Sequence, residues 1–136
     1  MEFYVGTSGW YYSWNKEKNF TWYVNNSQLN AVELNASFYR FPFPNQVKSW
    51  AQKGRGIRFS IKVSRRITHI HRLNQESYPV FEAFIRLFKP LESLIDFYFF
   101  QFPPSFTPKQ FDALVHFFSF LPHSFQGRIA VEMRNP

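Results

Sequence analysis

The 136-residue sequence predicts an α/β fold, a parallel α/β barrel that is incomplete, with about five of the usual eight βα units. Three observations predict it. Apolar runs of strand length alternate with segments of helical period, the order that builds parallel sheets. Five of these runs close on polar or glycine-rich residues: Val5-Gly6-Thr7-Ser8-Gly9-Trp10, Val32-Glu33-Leu34-Asn35, Phe59-Ser60-Ile61-Lys62-Val63, Phe99-Phe100-Gln101-Phe102-Pro103 and Ala130-Val131-Glu132-Met133-Arg134. The C-terminal ends of the strands are where such a barrel builds its site. Finally, only Asn135 and Pro136 follow the fifth run, whereas a complete barrel takes about 200 residues or more.

The first strand is expected at about residues 3–7, followed by the aromatic loop Trp10-Tyr11-Tyr12-Ser13-Trp14 and a helix over about 20–26. The second strand covers about 31–34, and a loop from Phe38 to Pro44 leads into a helix through Lys53, which Gly54 ends. The third strand is 58–63, and a third helix runs from about 78 to 87 with Phe81, Phe84, Ile85 and Phe88 at core spacing. Pro90 interrupts it. Strand four is the apolar run 97–102, suited to burial on both faces. Thr107 caps a fourth helix with Pro108 at its first position. Its expected buried stripe is Phe111, Leu114, Val115 and Phe118, and Pro122 stops it before strand five at 129–133.

Side chains alternate across a strand, so each polar residue can be assigned a face. Val32 and Leu34 oppose Glu33 and Asn35; Phe59, Ile61 and Val63 oppose Ser60 and Lys62; Ile129, Val131 and Met133 oppose Ala130, Glu132 and Arg134. The apolar sets should face the helices and the polar sets the barrel interior. Phe99 and Gln101 share a face of strand four, and the pattern alone fits either side. Glu33, Asn35, Lys62, Gln101, Glu132 and Arg134 can thus converge, where charges must pair or hold a polar ligand.

Composition narrows the chemistry. Aromatics make up 22% of the chain, with 19 Phe, which points to a Phe-rich core. The absence of Cys excludes disulfides, thiolate metal sites and Cys nucleophiles. No basic segment followed by an apolar run opens the chain, and no run of transmembrane length occurs, so a cytoplasmic protein without a membrane partner is expected. A net charge of +7 favours anionic partners, and the densest basic cluster is Lys62, Arg65, Arg66, His69, His71 and Arg72. No phosphate-binding loop, dinucleotide fingerprint or nucleophile elbow around Ser8 is present.

Glu33, Lys62 and Glu132 are the candidate catalytic groups. Two carboxylates across a barrel mouth serve acid/base work or cation binding, or simply pair with Lys62 and Arg134. Arg65 and Arg66 suit phosphate or carboxylate oxygens, with His69 beside them. Ser8, Trp10, Asn35, Tyr39, Gln101 and Arg134 complete the candidate ligand-binding set. The loop aromatics Trp10, Tyr11, Tyr12, Trp14, Phe38 and Tyr39 can stack on a sugar ring or a base, or pack the rim. His69 and His71 lack a third ligand fixed by sequence, so no metal site is assigned, and no cofactor is identified. His116 and His123 read as surface or helix-end residues.

The segments Gly6-Thr7-Ser8-Gly9-Trp10, Val32-Glu33-Leu34-Asn35-Ala36-Ser37-Phe38-Tyr39, Lys62-Val63-Ser64-Arg65-Arg66-Ile67-Thr68-His69, Phe100-Gln101-Phe102-Pro103-Pro104-Ser105-Phe106 and Ala130-Val131-Glu132-Met133-Arg134 resemble, in order and spacing, those of the YecE-like family, domain of unknown function 72. The resemblance covers nearly the whole chain, read as one domain over 1–136, and implies a TIM-barrel fold without an assigned reaction. Family chains continue through strands six to eight. The expected function is therefore binding or turnover of a small anionic or sugar-like ligand at the C-terminal mouth. The alternatives are nucleic-acid binding through Arg65, Arg66 and the aromatics, or an inactive remnant or half of a split barrel. The matching partner would be a complementary half-barrel chain or another copy in a homo-oligomer.

Overall fold

Alternation over Ala31–Leu34 and Arg58–Lys62 leaves each segment with one apolar face, and helices cover that side of the sheet. The computed structural model describes residues 1–121, 125 and 127–136. Five strands, β1 (Gly6–Ser8), β2 (Ala31–Leu34), β3 (Arg58–Lys62), β4 (Ile95–Gln101) and β5 (Arg128–Glu132), form one sheet in the order β1-β2-β3-β4-β5. Every neighbouring pair is parallel. The intervening helices are α1 (Phe20–Asn26), α2 (Ala36–Tyr39), α3 (Pro44–Lys53), α4 (Ser77–Leu87) and α5 (Phe111–Ser119). The parallel α/β architecture and sequential strand order match the expectation. Among the described residues, no helix is long and apolar enough to cross a membrane.

Register fixes what each face carries. Val32 pairs with Phe59, while Leu34, Ile61, Tyr98 and Ile129 form one row across four strands. These rows meet the helices in a core that includes Tyr23, Phe81, Phe84, Phe88, Phe100 and Phe117. The rings interlock: Phe81 lies 5.6 Å from Phe100 and 5.4 Å from Phe117, centre to centre. On the opposite, open face run Ser8, Glu33, Ser60, Phe97 and Arg128, then Lys62, Phe99 and Ala130, then Gln101 and Glu132. This settles the side of Phe99 and Gln101, which the sequence pattern left undecided.

Several boundaries move for definable reasons. β1 begins at Gly6 rather than residue 3, and Phe3, Tyr4 and Val5 are exposed. A Cβ at Gly6 would stand 1.9 Å from the Ala31 carbonyl oxygen, so only glycine admits this close approach to β2. The Tyr23 hydroxyl fastens the same edge, accepting from the Thr7 N–H at 3.2 Å and donating to the Ala31 carbonyl at 2.6 Å. Short helix α2 occupies the start of the stretch read as a loop. A single π-helical turn, Arg66–Ile70, follows β3 and is closed by the His71 N–H to the Arg66 carbonyl at 2.8 Å.

The buried stripe of α5 is also shifted. Phe111 is 61% and Val115 45% exposed, while Phe117 is 1% exposed, with Leu114, Phe118 and Leu121 packed beside it. Both stripes have helical spacing and share Leu114 and Phe118, so periodicity cannot choose between them. Phe117 decides the matter by filling the space among Tyr78, Phe81 and Phe100. A 3₁₀ turn over Pro108–Gln110 leads into α5, with the Thr107 hydroxyl accepting from the Lys109 N–H. The expectations for Pro122 and His123 lie outside the described residues.

Candidate functional site

Lys62 ends β3 on the open face, and two local features hold it there. Ser37, in the first turn of α2, donates its hydroxyl to the Lys62 carbonyl at 2.7 Å. One residue on, buried Phe38 turns its ring under the Lys62 ammonium, 4.4 Å from Nζ to the ring centre. A cation over a ring face is attracted by the ring quadrupole. The edge of the His69 imidazole meets the same Phe38 ring at 5.0 Å, and His69 Nδ1 is 2.8 Å from the buried Thr68 hydroxyl. The π-helical turn therefore brings His69 back beside Lys62.

The neighbouring strands extend the polar arc. Asn35 follows β2 and donates its side-chain amide to Ser8 Oγ on β1. On the other flank Gln101 Nε2 donates to Glu132 Oε2 at 3.3 Å, and Arg134 Nε donates to Glu132 Oε1 at 2.7 Å. Glu132 is thus held between an amide and a guanidinium, and Arg134 first, then Gln101, keeps its carboxyl below the usual range. Lys62 belongs to none of the ion pairs among the described residues, and neither does Glu33. Loss of water lowers the Lys62 ammonium from its usual range, Glu33 opposes that shift, and Arg134 adds to it. Burial, then Lys62 and Arg65, push the His69 imidazole below its ordinary value.

Toward the N-terminal ends of the strands the open face hollows into a trough of about 300 Å³, lined by Gly6, Ser8, Glu33, Arg58, Ser60 and Phe97 among others. Glu33 joins this trough to the polar arc, whereas Lys62, Gln101 and Glu132 do not line it. Its floor is pinned by Asp96, which accepts from Arg58 at 2.7 Å and lies 3.7 Å from Arg128. Arg58 was not singled out in the sequence, although it shares alternation with Ser60 and Lys62. Asp96 could not have been placed there by alternation, because the pairing of β3 with β4 slips between Phe59 and Ser60.

The remaining candidates spread more widely. Trp10 turns toward the helical layer, 4.7 Å from Phe20 and 6.1 Å from Trp50 between ring centres. Tyr39 is exposed and stands perpendicular to Phe38. Arg65 and Arg66 lie exposed at the rim, Arg66 with its guanidinium 5.8 Å from the Phe41 ring centre. Among the described residues, no group of three or more His, Cys, Asp or Glu could hold a metal ion. The structure therefore joins Ser8 with Asn35, Lys62 with His69 through Phe38, and Gln101 with Glu132 and Arg134.

The family model described as "Protein of unknown function DUF72" matches residues 4–136. UPF0759 protein YecE of Escherichia coli K12 is 34% identical over 109 residues, 79% of this chain and 39% of the relative; the O157:H7 protein gives the same figures. Two crystal structures of a DUF72 family protein from Enterococcus faecalis V583 superpose with TM-scores of 0.69 and 0.72, at 24% and 25% identity. Each superposition covers 96% of this chain, and 51% and 50% of the neighbour. The chain thus spans about half the length of those structures, and less of the curated relatives.

Proposed function

Because this chain belongs to the DUF72 family, whose model spans residues 4–136, we propose that its shared strand-end face binds a small anionic or polyhydroxylated ligand. The observation that carries this reading is the convergence of Lys62, Gln101, Glu132 and Arg134 on the open face, with Lys62 outside every ion pair among the described residues. An ammonium without a carboxylate partner keeps its attraction for a phosphate or carboxylate oxygen. The amide of Gln101 and the amide and hydroxyl of Asn35 and Ser8 offer both donors and acceptors to sugar hydroxyls. Arg65 and Arg66 supply positive potential at the rim, which steers an anion inward.

Titration with glucose 6-phosphate, glucose and inorganic phosphate, followed by thermal shift and NMR, tests the reading. Phosphate-bearing probes should raise the melting temperature and perturb Gln101. Lys62→Ala should weaken their binding about tenfold, the effect of losing one charged hydrogen bond, while His116→Ala leaves it unchanged. Equal effects of the two substitutions would overturn the reading. A second reading, nucleic-acid binding, is favoured by the exposure of adjacent Arg65 and Arg66. Its signature is affinity that falls steeply with salt and is lost on Arg65→Ala with Arg66→Ala.

A further inference from the structure

The chain has seven lysines, and six of them, Lys16, Lys18, Lys48, Lys53, Lys89 and Lys109, are exposed. Lys62 alone is half-buried, and it alone lies on the open face of the sheet at a strand end. Its nitrogen rests on the Phe38 ring rather than on a carboxylate. Glu33 and Glu132 are near enough to act on its charge, yet neither forms an ion pair with it. An amine that is half withdrawn from water, not locked to an anion and beside a second cation has the surroundings of a nucleophile.

We infer that Lys62 is a carbonyl-directed nucleophile, which forms an imine with the aldehyde or ketone group of an open-chain sugar or keto acid. The inference rests on the reading of this face as a small-ligand site and narrows its ligand class. The carboxylate of Glu33, which no ion pair among the described residues holds, takes a proton from the ammonium. The freed amine lone pair attacks the carbonyl carbon, the carbonyl π pair moves to oxygen, and one of the two nitrogen protons passes to that oxygen to give a neutral carbinolamine. The carboxylic acid then returns its proton to the hydroxyl, which leaves as water while the nitrogen lone pair forms the C=N bond, and the product is the protonated imine. One water is released and nothing is oxidised or reduced. Partial burial and the positive charge of Arg134 favour the uncharged amine, Glu33 and Glu132 oppose them, and the net direction is toward the amine.

The test treats the intact chain at neutral pH with glyceraldehyde or pyruvate and sodium cyanoborohydride, which reduces an imine to a stable secondary amine. Peptide mapping at low conversion then locates the adduct. Modification of Lys62 should exceed that of exposed Lys48 and Lys53 by about tenfold, the reverse of an order set by accessibility. Lys62→Arg should abolish this adduct and leave the others. Labelling that follows exposure would overturn the inference. Mapping on the native chain decides even where Lys62→Arg fails to fold. Binding of inorganic phosphate in a parallel titration, without Lys62 trapping, overturns the imine alone; absence of both overturns the ligand site as well.

Discussion

The imidazole of His69 is half-buried, with four cations acting on it, Lys62, Arg65, Arg134 and Arg72. Burial and these charges all disfavour the protonated ring, so its folded pKa lies below the ordinary 6.5. The sign of the linkage follows. Above 6.5 the ring is neutral in both states; as pH falls through 6.5 the unfolded chain takes up the proton first, and the native state loses stability. A ring-proton NMR titration should find His69 titrating below 6.5, and Lys62→Met should move it upward. A His69 titration unchanged by Lys62→Met would show that the ammonium does not act on it. At this scale the sequence revealed the charged cluster but not Phe38 as its platform. Spacing told that Phe38 and Lys62 leave adjacent strand ends; that the ring lies beneath the ammonium depends on a four-residue helix no pattern announced.

Among the elements, α5 separates pattern from packing. Its two apolar stripes are equally periodic, and only the space between β4 and α4 chooses Phe117 over Phe111 and Val115. Phe117→Ala should cost about 3–5 kcal/mol by cavity formation, measured by denaturant unfolding, whereas Phe111→Ala should cost less than about 1 kcal/mol, as for ordinary surface changes. Equal costs would show that α5 is rotated from its described position. The core strands were far more legible. β2 and α1 have the expected bounds: Val32 and Leu34 alternate with Glu33 along β2, and in the structure the Asn19 side chain caps α1 by accepting from the Trp22 N–H. The π-helical turn was not legible: its defining bond spans five residues, and no composition signals it. That turn nonetheless decides where His69 points.

At the level of the molecule, the two outer strands, β1 and β5, each have one hydrogen-bonded neighbour in the sheet. Exposed apolar side chains accompany them: Phe97 on the open face, and Val131 and Met133 at the β5 edge. Unpaired strand edges beside apolar surface invite pairing with another chain. The 136-residue chain should therefore associate with itself or with a complementary half-barrel segment, and light scattering at micromolar concentration checks this. A cooperative, well-folded monomer would show that five strands suffice. The parallel order was readable because each strand exits toward the same end. How far the open face is hollowed was not, since the trough depends on the small residue Gly6 and on the Asp96 anchor beneath it.

Each strand pairs with the strand made just before it, so a chain leaving the ribosome can add units one at a time to an existing edge. No early strand waits for a late one. The polar arc follows the same order: Ser8 and Asn35 emerge first, Lys62 next, then Gln101, and Glu132 and Arg134 after it. A nascent chain can thus pack the core beneath its first four strands while the polar face still lacks the Glu132–Arg134 ion pair. Packing beneath β1, β2 and β3 can precede the arrival of β4 and β5, which close the polar arc.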